Sequence, residues 1–274
     1  MRSFFKAFAV ELRRSVFSLK FAVMALIVAA GYLVSSLEEI KFMWNYEKSD
    51  VLYFFELIHN IGTFTSISVL CCTVLNCTSF LRDYKSGYFR HCVIRSGTGN
   101  YTLAAFLSCV TAGGLILSLG QILYVLILAV KFPLVSENSG TLDSYMHVLD
   151  SNFMAPFLRD GNYMLFFAVY ALLAFMFGAL WASVGIAISA YIDDYYAASF
   201  SPYVIFYATN GFLRAVFRGN RMLSGFFRPD VIFHANYYLG GAAKSILGAA
   251  LYFGIIITGM GIVFCIKSKR RCRE

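Results

Sequence analysis

Two pairs of adjacent carboxylates are the residues whose types and spacing come closest to catalytic chemistry: Glu38 with Glu39, and Asp193 with Asp194. Paired carboxyl groups with different pKa values can work as general acid and general base. Both pairs flank apolar segments, where carboxylates are typical of a solvated helix end. The histidines lie in loops or at segment edges: His59, His91, His147 and His234. An enzyme therefore stays an alternative only if Asp193 and Asp194 lie in a cleft and are essential.

Glycines and cysteines also fail to complete a site. Gly97 and Gly99 are not followed by the Lys-Ser or Lys-Thr pair of a nucleotide-binding loop, so we expect the chain not to bind ATP by itself. The cysteines have no zinc-site spacing, and we interpret them as small buried side chains; they are Cys71, Cys72, Cys77, Cys92, Cys109, Cys265 and Cys272. The sequence predicts no catalytic, cofactor or metal site, and hence no enzyme.

Composition indicates where the chain resides. Of its 274 residues, 59% are hydrophobic and only 14% are charged, with a mean hydropathy of +0.68. Such a chain cannot present an ordinary water-facing surface. Several apolar runs approach or exceed the length of about 20 residues with which a helix crosses a bilayer. None shows the alternation of a barrel strand, so the fold class is an all-α, polytopic membrane protein.

Six transmembrane helices are predicted, over residues 21–37, 60–81, 101–130, 163–191, 197–213 and 245–266. We interpret residues 21–37 as an uncleaved span, because this run is longer than the apolar part of a signal peptide. The fifth span is the weakest, since serine, threonine and asparagine dilute it and Pro202 would kink it. None of the six contains Asp, Glu, Lys, Arg or His, which argues against an ion-coupled carrier.

The distribution of lysine and arginine predicts the orientation, because positive residues stay on the cytoplasmic side. The N-terminal segment, residues 82–100 and the C-terminal tail are basic, whereas residues 38–59 carry an acidic excess. Both termini are therefore predicted to be cytoplasmic, with an even number of spans. Arg214, Arg218, Arg221 and Arg228 then fall outside. Either they have a role there, or the fifth segment is not a simple span.

Residues 1–20 are predicted to form an amphipathic helix, which precedes a single transmembrane domain, residues 21–274. Apolar residues recur there at steps of three and four: Phe5, Phe8, Leu12, Val16 and Leu19. Such a helix lies on the inner membrane surface, with its cations near anionic headgroups. A plain membrane anchor would explain this pattern equally well.

The connection at residues 82–100, the basic loop, is longer than two antiparallel helices need. Apolar and basic residues mix in it, and Gly97 is a typical helix stop. The sequence therefore predicts a short helix on the membrane surface that offers basic and aromatic groups to a soluble partner. A loop that merely obeys the orientation rule remains the alternative.

The order of elements and the stretch "RDYKSGYFRHCVIRSGTGNYTLAAFL" resemble the permease subunit of ABC transporters of the ABC-2 type. In that family a short cytoplasmic coupling helix precedes the third span, and Asp83, Gly87, Arg95 and Tyr101 match its pattern. The family usually has a lysine shortly after the tyrosine, where this chain has Ala104 and Ala105.

The resemblance implies a permease of the plasma membrane that exports an amphipathic substrate, such as a peptide, lipid or drug. Partners would be an ABC ATPase subunit, which holds ATP and magnesium, a second permease in a homo- or heterodimer, and the lipid bilayer, but no nucleic acid. The resemblance also implies a re-entrant segment over residues 214–243. A non-transporting membrane scaffold or assembly factor is the alternative.

Two sets of contact residues follow. The ATPase subunit would contact the coupling helix at Tyr88, Phe89, Arg90, Val93, Ile94 and Arg95. On the outer side, Arg214, Arg218 and Arg221 share a helical face by their spacing and would attract an anionic group. A plain interfacial role for these arginines is the alternative.

Overall fold

A computed structural model of the chain describes residues 2–44, 49–61, 63–74, 77–136, 142–143, 152–218 and 226–271. Every regular element in these ranges is a helix. In chain order the helices are α1 (Arg2–Val16), α2 (Leu19–Met43), α3 (Val51–Ile61), α4 (Thr63–Thr73), α5 (Ser79–Lys85), α6 (Tyr88–Ser96), α7 (Thr98–Ala129), α8 (Ala155–Arg159), α9 (Tyr163–Ser189), α10 (Tyr195–Val216), α11 (Pro229–Phe233) and α12 (Ala242–Arg271).

Four of these helices are long and apolar enough to cross a membrane: α2, α7, α9 and α12. They coincide with four of the six predicted spans, so the all-helical class is confirmed and these four segments have the length and composition of membrane-spanning helices. The other two predicted spans differ from these four. In the described part of 60–81 there is no single long helix, because the segment contains the end of α3, all of α4 and the start of α5. Residues 197–213 lie in α10, which contains several serines and Pro202 and is not among the four apolar helices.

Helices α7 and α9 form the centre of the bundle and cross where both carry glycine. A Cβ atom added to Gly178 of α9 would lie 2.6 Å from the carbonyl oxygen of Gly113 in α7. Small residues let two membrane helices approach this closely, so that their van der Waals contacts replace those with lipid. About two turns further along α7, a Cβ at Gly120 would lie 2.6 Å from Cβ of Val28, so α2 also packs closely against this central helix.

Hydroxyl groups in the long helices mostly bond within their own helix. Ser36 donates to the carbonyl oxygen of Tyr32 at 3.0 Å, and Ser268 donates to that of Phe264 at 2.7 Å. This local bond removes most of the cost of placing serine among apolar neighbours. Other buried bonds join elements instead: Tyr124 of α7 donates to the Ser36 hydroxyl at 3.2 Å, and Thr73 of α4 donates to the Ser199 carbonyl of α10 at 3.3 Å.

The loop between α2 and α3 is fixed to the loop after α7. Asp50 is fully buried, and its carboxylate accepts from the backbone N–H groups of Tyr53 at 2.8 Å and Ser136 at 3.0 Å. The Val51 N–H donates to the Pro133 carbonyl at 3.0 Å. These bonds close the bundle at the end opposite the basic loop.

Cysteines were predicted to be small buried side chains, and this is confirmed for four of them: Cys71, Cys72, Cys77 and Cys109. Cys92 and Cys265 are half-buried, and Cys272 lies outside the described residues. Cys77 occupies the space beside Gly185 of α9, so that thiol and glycine pack together at the junction between α4 and α5.

The glycine crossing predicts how the bundle responds to one added methyl group. Gly178→Ala would push its Cβ against the Gly113 carbonyl, which is backbone and cannot rotate away. We expect the free energy of unfolding to fall by about 2 kcal/mol. The matched control is Gly254→Ala in α12, where nothing lies within 4 Å of the added atom. Thermal unfolding in detergent measures both, and an equal melting temperature for the two variants would contradict the tight crossing.

Candidate functional site

The basic loop folds as two short helices, α5 and α6, separated and followed by glycines with positive φ. Gly87 has φ 73° between the two helices, and Gly97 has φ 81° between α6 and α7. Only glycine adopts this conformation without strain, so each turn reverses the chain within one residue. The predicted short helix is therefore confirmed as α6, and it ends at Gly97, whose N–H donates to the Val93 carbonyl at 2.8 Å.

One face of α6 points outward and the other packs on the bundle. Ile94 is 82% exposed and Tyr88 43% exposed, and Arg90 and Arg95 are also exposed. Phe89, by contrast, is buried and stacks on Tyr84 of α5 with ring centroids 5.2 Å apart.

Val93 lies between these two faces and is half-buried. Of the six residues predicted to contact an ATPase subunit, the structure thus leaves four accessible, places Val93 at the edge and turns Phe89 toward the core. The contact itself stays a prediction.

Asp83 of α5 is the polar centre behind this helix. Its side chain is buried, and both carboxylate oxygens accept from the guanidinium of Arg14 in α1, with Nη1 2.9 Å from Oδ2. The Tyr101 hydroxyl of α7 also donates to Oδ2, at 3.3 Å. A bidentate ion pair between arginine and carboxylate fixes the relative orientation of the two groups as well as their distance. We call Glu11, Arg14, Asp83 and Tyr101 the Asp83 cluster.

The Asp83 cluster also reaches α6. The Arg14 guanidinium lies 5.3 Å from the centre of the Tyr88 ring, a cation–π contact. Through these four residues and Tyr88, side chains from α1, α5, α6 and α7 meet at one point. The position of α6 is thereby tied to that of α1 and to the central helix α7.

Glu11 gives the Asp83 cluster a second carboxyl group. Its Oε2 lies 3.7 Å from Nη1 of Arg14, and the residue is only 7% exposed. Burial raises the pKa of Glu11 above its ordinary value, against the opposing effect of Arg14. The hydrogen bond to Asp83 raises the pKa of Arg14, which therefore stays charged.

A second cation, Arg271 at the end of α12, joins the same end of the bundle. Its Nη1 lies 2.9 Å from Oδ1 of Asp193, and its Nη2 donates to the Tyr191 carbonyl at 3.2 Å. The guanidinium also lies 5.5 Å from the Tyr84 ring centre. The loop between α9 and α10 and the last turn of α12 are thus fastened to α5.

The carboxylate pairs that suggested catalysis have structural contacts. Asp194 caps α10 by accepting from the Ala197 N–H at 2.7 Å, while Asp193 pairs with Arg271 and its side chain is 70% exposed. Glu39 accepts from the Tyr53 hydroxyl at 3.4 Å, and Glu38 is exposed. Within the described ranges no three His, Cys, Asp or Glu residues are grouped to hold a metal ion.

Two of the four histidines meet in the interior. His59 of α3 and His234, just after α11, have ring centroids 5.4 Å apart. His59 Nδ1 lies 2.9 Å from the Phe55 carbonyl, and the Thr65 hydroxyl lies 3.1 Å from Nε2 of His234. His91 is exposed, and His147 lies outside the described residues.

The predicted anion contact at the other end is only partly visible. Arg214 is exposed, and its Nη2 lies 3.9 Å from Asp230, a carboxylate already paired with Arg228. Arg218 is exposed as well, and Arg221 lies outside the described residues. Arg214 therefore faces a protein carboxylate, and its contact with an external anion stays a prediction.

Comparison with known proteins gives no independent identification. No family model matches the chain, and no curated protein resembles it at a significant level. The resemblance carried by the basic loop therefore remains a prediction from this chain's own residues.

The Arg14–Asp83 pair predicts strong coupling between two residues far apart in sequence. Removing either partner leaves the other charge or its donors unsatisfied, so we expect Arg14→Gln and Asp83→Asn each to lower the free energy of unfolding by about 2 kcal/mol. Combining them should cost little more than one alone. A double-mutant cycle on the purified protein measures the coupling, expected at about 1 to 3 kcal/mol.

The matched control for this cycle is the pair Arg271→Gln and Asp193→Asn. Because the Asp193 side chain is 70% exposed, water screens that ion pair, and its coupling should stay below about 1 kcal/mol. Equal coupling in the two cycles would show that the Asp83 cluster has no special part in holding α1 to the basic loop.

The raised pKa of Glu11 predicts a pH-dependent stability difference. A carboxyl group whose pKa is raised by folding stabilises the protein below its ordinary pKa and loses that contribution as the pH rises through the raised value. Glu11→Gln should therefore raise the melting temperature at neutral pH, with the gain shrinking toward about pH 4. Melting curves of both proteins across this range measure it; a gain that is constant with pH would refute the assignment.

Proposed function

We propose that this chain is the membrane-embedded permease subunit of an ATP-driven transporter of the ABC-2 type. The observation that carries the proposal is the position of α6. This short helix presents Ile94, Arg90 and Arg95 outward while Asp83, on the adjoining α5, is held by α1 and α7. A soluble ATPase subunit that binds this face would contact a helix that is already connected to the bundle through the Asp83 cluster.

The proposed mechanism is a two-state rearrangement driven by the partner. ATP and magnesium bind to the ATPase subunits, whose closure displaces α6. Because α6 contacts Arg14 through Tyr88, and Arg14 and Tyr101 both bind Asp83, the displacement passes to α1 and α7 together. Rigid elements with two packed arrangements transmit such motions better than deformable loops.

The chain's own residues have two parts in this mechanism. Arg90, Arg95 and Ile94 would bind the ATPase surface, the cations through its carboxylates and Ile94 in an apolar depression. The Asp83 cluster would position α6, since a bidentate ion pair resists both rotation and translation of the loop.

The proposed arrangement in the membrane follows the orientation rule. Six segments cross the plasma membrane, α4 with its neighbours and α10 being the second and fifth, and both termini are cytoplasmic. Helix α1 lies along the inner surface, and residues 214–243 re-enter from the outer side. A second permease, identical or related, completes the pathway.

The proposed cargo is an amphipathic molecule, such as a peptide, lipid or drug, moved outward. Support comes from the predicted spans, which contain no Asp, Glu, Lys, Arg or His to bind a small ion. The rival interpretation is a membrane scaffold without transport. Such a protein would use the same apolar helices but would need no ATPase partner at α6.

Co-purification of an ATPase tests the proposal. We expect the wild-type protein, solubilised from its native membrane, to retain an ABC ATPase, identified by mass spectrometry and by vanadate-sensitive ATP hydrolysis. Arg90→Glu with Arg95→Glu, or Ile94→Asp alone, should lose it, because each change destroys the exposed face of α6.

The matched control is Lys269→Glu with Arg270→Glu, which reverses two exposed cations at the same end of the bundle that are not part of α6. This variant should keep the ATPase. Loss in the control as well would indicate a general charge effect. No ATPase with the wild-type protein would favour the scaffold.

A further inference from the structure

Part of the α1 surface is left uncovered by the bundle, although it carries large apolar side chains. Phe5 is 63% exposed and Val10 57% exposed. Beyond the end of α1, at the bend that leads into α2, Phe17 is 84% exposed and Leu19 81% exposed. Large apolar side chains this open to solvent can form an interaction surface where they lie together, as Val10 and Phe17 do along one side.

A groove runs along this surface, with a volume of about 710 Å³. Its lining residues are Val10, Arg13, Arg14 and Phe17. Their spacing of three, four and seven places them on one side of α1. The groove thus has two guanidinium groups at its centre and an apolar side chain at each end.

The two arginines of the groove differ in their contacts with other protein groups. Arg14 already binds Asp83 and contacts the Tyr88 ring. Arg13 is exposed, and among the described residues no carboxylate forms an ion pair with it. The one acidic residue of α1, Glu11, is buried against Arg14. The groove is therefore cationic, and its available cation is Arg13.

A ligand for this groove must combine an anion with an apolar body. We propose that the groove binds an anionic phospholipid, with the phosphate on Arg13 and the start of the acyl chains against Val10 and Phe17. Arginine suits phosphate because its planar fork can donate two parallel hydrogen bonds. This inference rests on the proposed position of α1 at the inner membrane surface, and it is independent of any ATPase partner.

The bend after α1 favours a lipid over an acidic peptide. Helix α2 begins at Leu19, where the Ser18 hydroxyl accepts from the Phe21 N–H at 3.2 Å, and α2 is one of the four helices able to cross a membrane. Phe17 lies beside the first turn of this helix. The groove is thus at the level where α2 would enter the bilayer, which is the level of the headgroups.

Lipid retention by the purified chain tests the proposal. We would count lipids that stay bound in native mass spectrometry, in detergent supplemented with either phosphatidylglycerol or phosphatidylcholine. The wild-type protein should retain phosphatidylglycerol preferentially. Arg13→Gln should weaken that retention about fivefold, the effect of one cation at an anionic surface, and Phe17→Ser should lower retention as well.

Two variants separate a site from a diffuse positive surface. Lys6→Gln removes an exposed cation from the same helix but outside the groove, and it should retain phosphatidylglycerol like the wild type. Arg13→Lys keeps the charge but loses the fork, and it should bind more weakly than the wild type. Melting temperatures measured alongside show that all variants are folded.

Four outcomes would overturn the proposal. Equal weakening by Lys6→Gln and Arg13→Gln would mean a diffuse electrostatic surface, and full retention by Arg13→Lys would mean the same. Equal retention of both lipids by the wild type would remove the anionic requirement. Displacement of the lipid by glycerol phosphate or by an acidic peptide at the same concentration would assign the groove to a soluble ligand. None of these outcomes depends on whether an ATPase co-purifies.

Discussion

The ion pair between Arg14 and Asp83 is the interaction on which the basic end of the bundle depends. Asp83 is buried, and a carboxylate in that position is tolerated only when its charge is matched and its oxygens accept hydrogen bonds. Arg14 and Tyr101 supply both conditions. Since each partner belongs to a different helix, satisfying one buried charge fixes the relative positions of α1, α5 and α7, and with them the outward face of α6.

The glycine crossing of α7 and α9 provides the rigid body to which this end is attached. The backbones of α7 and α9 are in direct contact at Gly113 and Gly178, so the two helices pack as one unit. Tyr101 lies in the first turn of α7. The bundle therefore combines a closely packed central helix pair with a peripheral helix, α6, that is joined to it by the stack of Phe89 on Tyr84 and by the contact of Tyr88 with Arg14.

Local signals in the sequence predict local features well. The apolar runs predict α2, α7, α9 and α12, and Gly97 predicts the end of α6, because both depend on neighbouring residues alone. The partner of Asp83 was not predictable in this way, since Arg14 is 69 residues distant and its amphipathic helix has several equivalent cations. Likewise, nothing in the run 60–81 indicates that α4 ends at Thr73 and α5 begins at Ser79, with Cys77 between them packed beside Gly185 of α9.

The wide separation of Arg14 and Asp83 has a consequence during protein synthesis. The ribosome makes Arg14 first and adds Asp83 only 69 residues later, an interval of about 3 to 14 s. Once Met43 has been added, α1 and α2 have both been synthesised, while the acidic partner of Arg14 has not. The N-terminal helix therefore lacks this ion pair until the nascent chain reaches α5, and a ribosome stalled before that point would hold a chain in which Arg14 has no Asp83 to bind.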